Sequence, residues 1–197
     1  MRPVWIELGP LMVLFWVVFT ACFLPEVIGG LLQHSGERDK RQDRGSMGAL
    51  VGGIAASLTL ALNISVRWPG PSICADRQVM MWLGIVVMLL GLALRWYSIR
   101  VLGRFFTRDV AIREGHRIVR DGPYRYLRHP CYSGTLLQIL GIGLVLDGWR
   151  ALAVLAAVNA VGFGYRIAVE EAALRAAFGD EYLAYARATK RIVPLIY

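Results

Sequence analysis

Three long apolar stretches, Leu8 to Leu32, Met47 to Val66 and Val79 to Ile99, constrain this chain more than any other feature. An α-helix rises about 1.5 Å per residue, so roughly 20 apolar residues cross about 30 Å of hydrocarbon. Inside lipid each backbone donor and acceptor must be met within the chain, which selects helices. Pro25 and Glu26 interrupt the first stretch and predict a kink there, because proline removes a backbone donor. This stretch is too long for a signal-peptide core and lacks a clear small-residue cleavage site, so it is expected to stay as a membrane helix. Two further apolar runs, Tyr132 to Leu146 and Ala151 to Val169, are separated only by Asp147, Gly148, Trp149 and Arg150, a turn-forming cluster. They predict a tight helical hairpin whose first arm, about 15 residues, is short for a full crossing. A hydrophobic content of 56% is too high for an ordinary water-soluble core. The expectation is an all-α polytopic membrane protein of about five transmembrane helices, one domain over residues 1–197.

Charge orients these spans. Arg38, Lys40, Arg41 and Arg44 lie in the first loop, and eight arginines from Arg100 to Arg128 lie in the third. Basic loops favour the cytoplasmic side, which predicts an outside N-terminus and a cytoplasmic C-terminus. The net charge of +8 is dispersed between apolar runs, which speaks against nucleic acid and for anionic lipid headgroups. Cys22, Cys74 and Cys131 are too far apart in sequence for a metal-ligand spacing, and their odd number argues against a closed disulfide framework. They are expected to pack as small apolar residues, with no metal site.

The chemistry concentrates in the third loop. From Gly122 the chain reads GPYRYLRHPCY, ending at Tyr132. Gly122 and Pro123 signal a turn, and Pro130 suits a first helical turn, where its missing donor costs nothing. An interfacial belt of aromatic residues accounts for Tyr126 and Arg125, but not for a histidine, two prolines and a glycine gathered where a short span begins. Glu170 and Glu171 form a second candidate at the end of the last span, where uncompensated charge is expensive. Adjacent helical positions diverge by about 100°, so one carboxylate can face inward while the other meets water or an arginine. A plain helix-end charge pair is the alternative, with Arg166 as neutraliser. Arg95 and Arg166 sit near span ends and are expected to snorkel. Gly141, Gly143, Gly162 and Gly164 are expected to let helices approach closely. After Glu170 an amphipathic helix should continue the last span to Gly179, and a second, Asp180 to Thr189, should present Tyr182 and Tyr185 on one face before Pro194 stops it. No Walker loop, hydrolase elbow, zinc-protease helix or dinucleotide fingerprint is present.

These segments, GPYRYLRHPCYSG, the hairpin and EEAALRAAFGDEYLAYARATKRIVP, resemble the isoprenylcysteine carboxyl methyltransferase family and, more distantly, the phospholipid N-methyltransferases. The resemblance runs from Leu102 to Pro194; the three spans of residues 1–101 add only Asp43, Arg44, Gly45 and Ser46. It implies a membrane methyltransferase using S-adenosylmethionine, released as S-adenosylhomocysteine, in a cytoplasm-facing pocket built by residues 102–197. It implies a cofactor shell of His116, Val119, Gly122, Tyr124, His129, Tyr132 and Glu171. Arg128 and Arg191 are then the positions for a substrate carboxylate or its transition state, with Arg187 as rival to Arg191. The implied acceptor is a lipid-like molecule entering from the bilayer, most simply an isoprenylcysteine-type carboxylate. A lipid amine acceptor would need a proton acceptor, for which Glu170 is the choice. A non-catalytic scaffold or small transporter is the reading from another class, although buried charge paths along several spans are missing. Oligomeric state stays open.

Overall fold

The computed structural model describes residues 9–32, 40–41, 45–68, 70–107, 111–112, 115 and 117–193. Six α-helices carry the fold: α1 (Gly9–Leu32), α2 (Ser46–Arg67), α3 (Arg77–Leu102), α4 (Pro130–Val145), α5 (Trp149–Phe178) and α6 (Asp180–Ala188). Three of them are long and apolar enough to cross a membrane, over Ser46–Arg67, Arg77–Phe105 and Trp149–Phe178, and Gly9–Pro25 and Pro130–Val145 are shorter apolar helices. Each expected span is therefore a helix. The amphipathic segment after Glu170 is the continuation of α5, ended at Gly179, whose φ of 51° lies in the left-handed region where glycine carries no Cβ penalty. Elsewhere local chemistry sets the ends: the Asp76 carboxylate accepts from the backbone N–H groups of Gln78 and Val79 at 2.8 and 3.3 Å and starts α3. Pro130 begins α4 as expected, and α1 runs on through Pro25. Asp43, Arg44 and Pro194 lie outside the described residues.

Large apolar side chains such as Val13, Trp16, Leu60, Leu90 and Val161 are exposed on the helices, a surface suited to lipid and not to water. The core, with Phe15 and Val18 from α1, Ala61 from α2, Ile85 and Met88 from α3, Ile139 and Ile142 from α4 and Leu155 and Phe163 from α5, joins all five apolar helices. Asn159 on α5 donates from Nδ2 to Ser57 Oγ on α2 at 2.9 Å, a polar bond within that apolar setting.

At one end, Lys40–Arg41 and Ala111–Ile112 pair as two short antiparallel strands, a small non-helical addition to the all-α expectation. This pairing gathers the two arginine-bearing loops at the same end of the helices. At the other end, Asp147 Oδ1 accepts from the backbone N–H groups of Ile73 and Cys74 at 3.0 and 3.2 Å, tying the hairpin turn to the second loop.

Helix α4 would be about 24 Å long, too short to cross alone. It is instead seated against α3 by paired glycines. A Cβ on Gly84 would lie 2.5 Å from the Gly141 carbonyl oxygen, and one on Gly91 would lie 2.5 Å from that of Gly134. Of the glycines expected at close contacts, Gly141 and Gly143 are so placed, a Cβ on Gly162 would make only ordinary contact with Leu50, and one on Gly164 would meet nothing within 4 Å. Gly91→Val should therefore cost about 1–3 kcal/mol or more, because backbone cannot yield as a side chain can. Thermal unfolding in detergent checks this: Gly91→Val lowers Tm or abolishes monodisperse protein, whereas Gly164→Ala leaves Tm at the parent value.

Candidate active site

The segment from Gly122 to Tyr132 folds onto the end of α3 and is held from behind by the chain after α6. Gly122 has φ 55°, and a Cβ there would sit 2.9 Å from the Tyr97 hydroxyl of α3, so the turn needs glycine on both counts. Lys190 donates its backbone N–H to the Tyr126 carbonyl at 2.9 Å; Arg128 and His129 donate theirs to the Lys190 and Arg191 carbonyls at 2.7 and 3.0 Å. The Tyr185 hydroxyl donates to the Tyr124 carbonyl at 2.8 Å, and Ser133 Oγ to that of Ile192 at 2.6 Å. A turn, a helix start and a tail far apart in sequence thus form one unit.

The two carboxylates divide their duties as their positions on α5 dictate. Glu171 is 2% exposed and accepts from Arg128 Nε at 3.0 Å, from Arg175 at 3.1 Å and from Arg191 Nε and Nη2 at 3.2 and 3.1 Å. His129 Nε2 stands 3.5 Å from the same carboxylate, outside hydrogen-bond geometry, and has no hydrogen-bond partner among the described residues. The Glu170 side chain is 30% exposed and accepts from the Tyr132 hydroxyl at 2.5 Å. The His129 and Tyr132 rings stack with centroids 5.5 Å apart. The hairpin therefore brings the histidine segment and the glutamate pair into contact.

Arg166 departs from the snorkelling expected of it. It is 2% exposed, and its bonds include Nε to the Tyr132 hydroxyl at 3.1 Å and Nη1 to Ser46 Oγ on α2 at 2.7 Å. Arg95 likewise turns inward, its Nη1 donating to the Cys131 carbonyl at 3.3 Å and to Thr135 Oγ1 at 3.1 Å on α4. A buried guanidinium near lipid requires such partners. The available clue was spacing: Arg166 precedes Glu170 by one helical turn and shares its face.

These groups line a cavity of about 490 Å³, within the range of small-molecule sites. One wall is apolar, made by Phe19 and Phe23 of α1 and Leu50, Val51, Ile54 and Leu58 of α2. The other carries Arg117, Val119, Tyr124, Arg128, His129, Tyr132, Arg166, Glu170, Tyr182 and Tyr185. Six of the expected site residues, Val119, Tyr124, Arg128, His129, Tyr132 and Glu170, are thus in the lining. Gly122, Glu171 and Arg191 are not: Gly122 shapes the turn, and Glu171 and Arg191 form the ionic cluster behind it. His116 lies outside the described residues. Arg187 and Arg191 border a second, smaller cavity with Arg128 and Lys190. Tyr182 and Tyr185, expected only to share one helical face, reach the main cavity from α6. Burial, with help from neighbouring Cys131, holds the Tyr124 phenol far above the ordinary tyrosine range, and burial likewise raises Tyr182 and pushes Tyr185 up to about 12. All three are neutral hydrogen-bonding groups near pH 7. Among the described residues no group of three or more His, Cys, Asp or Glu side chains could hold a metal ion.

Residues 82–176 match the model of the isoprenylcysteine carboxyl methyltransferase family. The chain is 36% identical over 115 residues to protein-S-isoprenylcysteine O-methyltransferase B of Arabidopsis thaliana, covering 57% of this chain and 58% of that protein. It is 32% identical over 117 residues to a probable protein-S-isoprenylcysteine O-methyltransferase of Oryza sativa subsp. indica, covering 58% of this chain and 61% of that one. The chain thus spans about three fifths of the length of these relatives. A solved structure of a eukaryotic intramembrane Ras methyltransferase, an isoprenylcysteine carboxyl methyltransferase, shares the fold with a TM-score of 0.58 at 20% identity, over 94% of this chain and 64% of that one.

Proposed function

From a chain that carries the isoprenylcysteine carboxyl methyltransferase family's pattern over residues 82–176, we propose a membrane methyltransferase that uses S-adenosylmethionine to methylate a lipophilic carboxylate of the isoprenylcysteine type. The observation that carries this reading is a single cavity whose walls differ in chemistry, apolar along α1 and α2 and polar along the histidine segment, Arg166 and Glu170. An acceptor with a long apolar tail and a small charged head matches both. The arginine-bearing loops meet at the end of the fold where Thr107 and Arg117 enter the lining, which supports a polar mouth on the cytoplasmic side, an outside N-terminus and a cytoplasmic C-terminus.

The residues suit the cofactor. Tyr124 and Tyr132 offer aromatic faces for adenine or a sulfonium, and His129 sits in the same lining with its ring stacked on Tyr132 and its Nε2 3.5 Å from Glu171. When bound, S-adenosylmethionine supplies a methyl group on a positively charged sulfur. A carboxylate acceptor has no proton to lose, so the protein has to align, desolvate and hold the reactants rather than supply a base. Arg166, fixed between Tyr132 and Ser46, is the buried cation in the lining best placed to receive that carboxylate. Arg128 and Arg191, the positions implied for this role by resemblance, are instead paired with Glu171.

The test is methyl transfer by purified protein from labelled S-adenosylmethionine to an S-isoprenylcysteine with a free carboxylate. A base-labile labelled ester is expected. A base-stable product formed instead on phospholipid amines would move the acceptor to the amine class, and no transfer to either would overturn the proposal.

A further inference from the structure

Tyr182 on α6 is 1% exposed, lies in the lining of the main cavity, and its hydroxyl has no hydrogen-bond partner among the described residues. Three residues on, Tyr185 shows the contrasting arrangement, since its hydroxyl donates to the Tyr124 carbonyl at 2.8 Å and reaches that of Leu127 at 3.3 Å. The two rings pack edge to face with centroids 6.2 Å apart, so the Tyr182 ring is seated by packing and its hydroxyl contributes nothing to holding the helix. A buried polar atom without a partner is costly and persists where a ligand completes it. Glu170, an acceptor suited to an ammonium, and Arg128, a cation whose bonds run to Glu171 and to the carbonyls of Ala186 and Thr189, also line this cavity, and both act electrostatically on the Tyr182 phenol, as does the buried Glu171. An acceptor and a donor in one lining match the two charges of an α-amino acid.

We propose that the Tyr182 hydroxyl is a ligand-binding group that donates to the carboxylate of the amino-acid end of S-adenosylmethionine, with Glu170 taking the ammonium; this rests on the cofactor reading above. Burial keeps the phenol protonated, as a donor to an anion requires.

The measurement is the dissociation constant of the purified full chain for S-adenosylmethionine and for its decarboxylated analogue, which lacks only that carboxylate. In Tyr182→Phe, affinity for S-adenosylmethionine should fall about tenfold while that for the analogue holds, so the ratio between the ligands collapses. Phenylalanine keeps the ring contact, and Tm should hold at the parent value. Tyr185→Phe is the contrast: it should lower Tm and leave the ratio unchanged. An unchanged ratio in Tyr182→Phe, or an equal loss for both ligands, overturns the inference alone. Absence of binding by the unaltered protein overturns the cofactor reading, and the inference with it.

Discussion

Replacing Glu171 by alanine should lower Tm by roughly 10 °C and abolish ligand binding, the largest effect expected of any single polar substitution in this chain. Among the described residues, Glu171 is a carboxylate shared by Arg128, Arg175 and Arg191, with His129 3.5 Å away. Removing it leaves several cations facing one another around a buried position, and breaking a buried ion pair from one side costs about 3–5 kcal/mol. The damage would spread, because Arg191 belongs to the tail whose backbone braces Arg128 and His129. Glu170→Gln should do the opposite: Glu170 is partly exposed and bonded to Tyr132, so Tm should stay near that of the parent while activity falls. Paired thermal unfolding and activity assays separate these outcomes. A Glu171→Ala protein with parental Tm would contradict the division of roles between the two carboxylates.

The second large effect belongs to Arg166. Arg166→Ala should reduce kcat/KM about 10²- to 10³-fold, the scale of losing one preorganised cationic donor to the reacting charge. Arg166→Lys should rescue little, although it keeps the charge. The guanidinium reaches Tyr132 through Nε and Ser46 through Nη1, a fork that a single ammonium cannot reproduce. Ser46 begins α2, so the same fork fixes the apolar wall relative to the polar one. Lysine restoring full activity would show that charge alone suffices and that the fork is dispensable.

How much of this was legible beforehand depends on which physical rule wrote it into the chain. Lipid demands long apolar runs and self-satisfied backbone, so the apolar helices, the hairpin and the break at Gly179 could be read from residue order. The site was half legible for a similar reason. Pro130 sets where α4 starts and so where His129 points, and the 100° step between Glu170 and Glu171 gives the two carboxylates different surroundings, Glu171 buried among arginines and Glu170 partly exposed in the cavity lining. Which of the two faced the cavity was not written there, because it depends on how α5 is rotated against α4 and α6. Residue order alone points Arg166 to the interface as a snorkelling residue, because its partners, Tyr132 and Ser46, lie on other helices and far off in sequence. Gly84 and Gly91 stand singly within their apolar run, and their role is visible only once their counterparts Gly141 and Gly134 are known. Their spacing equals that of Gly134 and Gly141, and antiparallel helices set the two pairs face to face. The strand pair Lys40–Arg41 with Ala111–Ile112 is too short to show any periodicity.

The proposed methyl transfer depends on the cavity between the histidine segment and Glu170 accepting S-adenosylmethionine. Equilibrium binding of radiolabelled S-adenosylmethionine to the purified full chain tests that most directly. Saturable binding at one site per chain, competed by S-adenosylhomocysteine and lost in His129→Ala, is the predicted result. Binding that never saturates, or that S-adenosylhomocysteine does not displace, would contradict it.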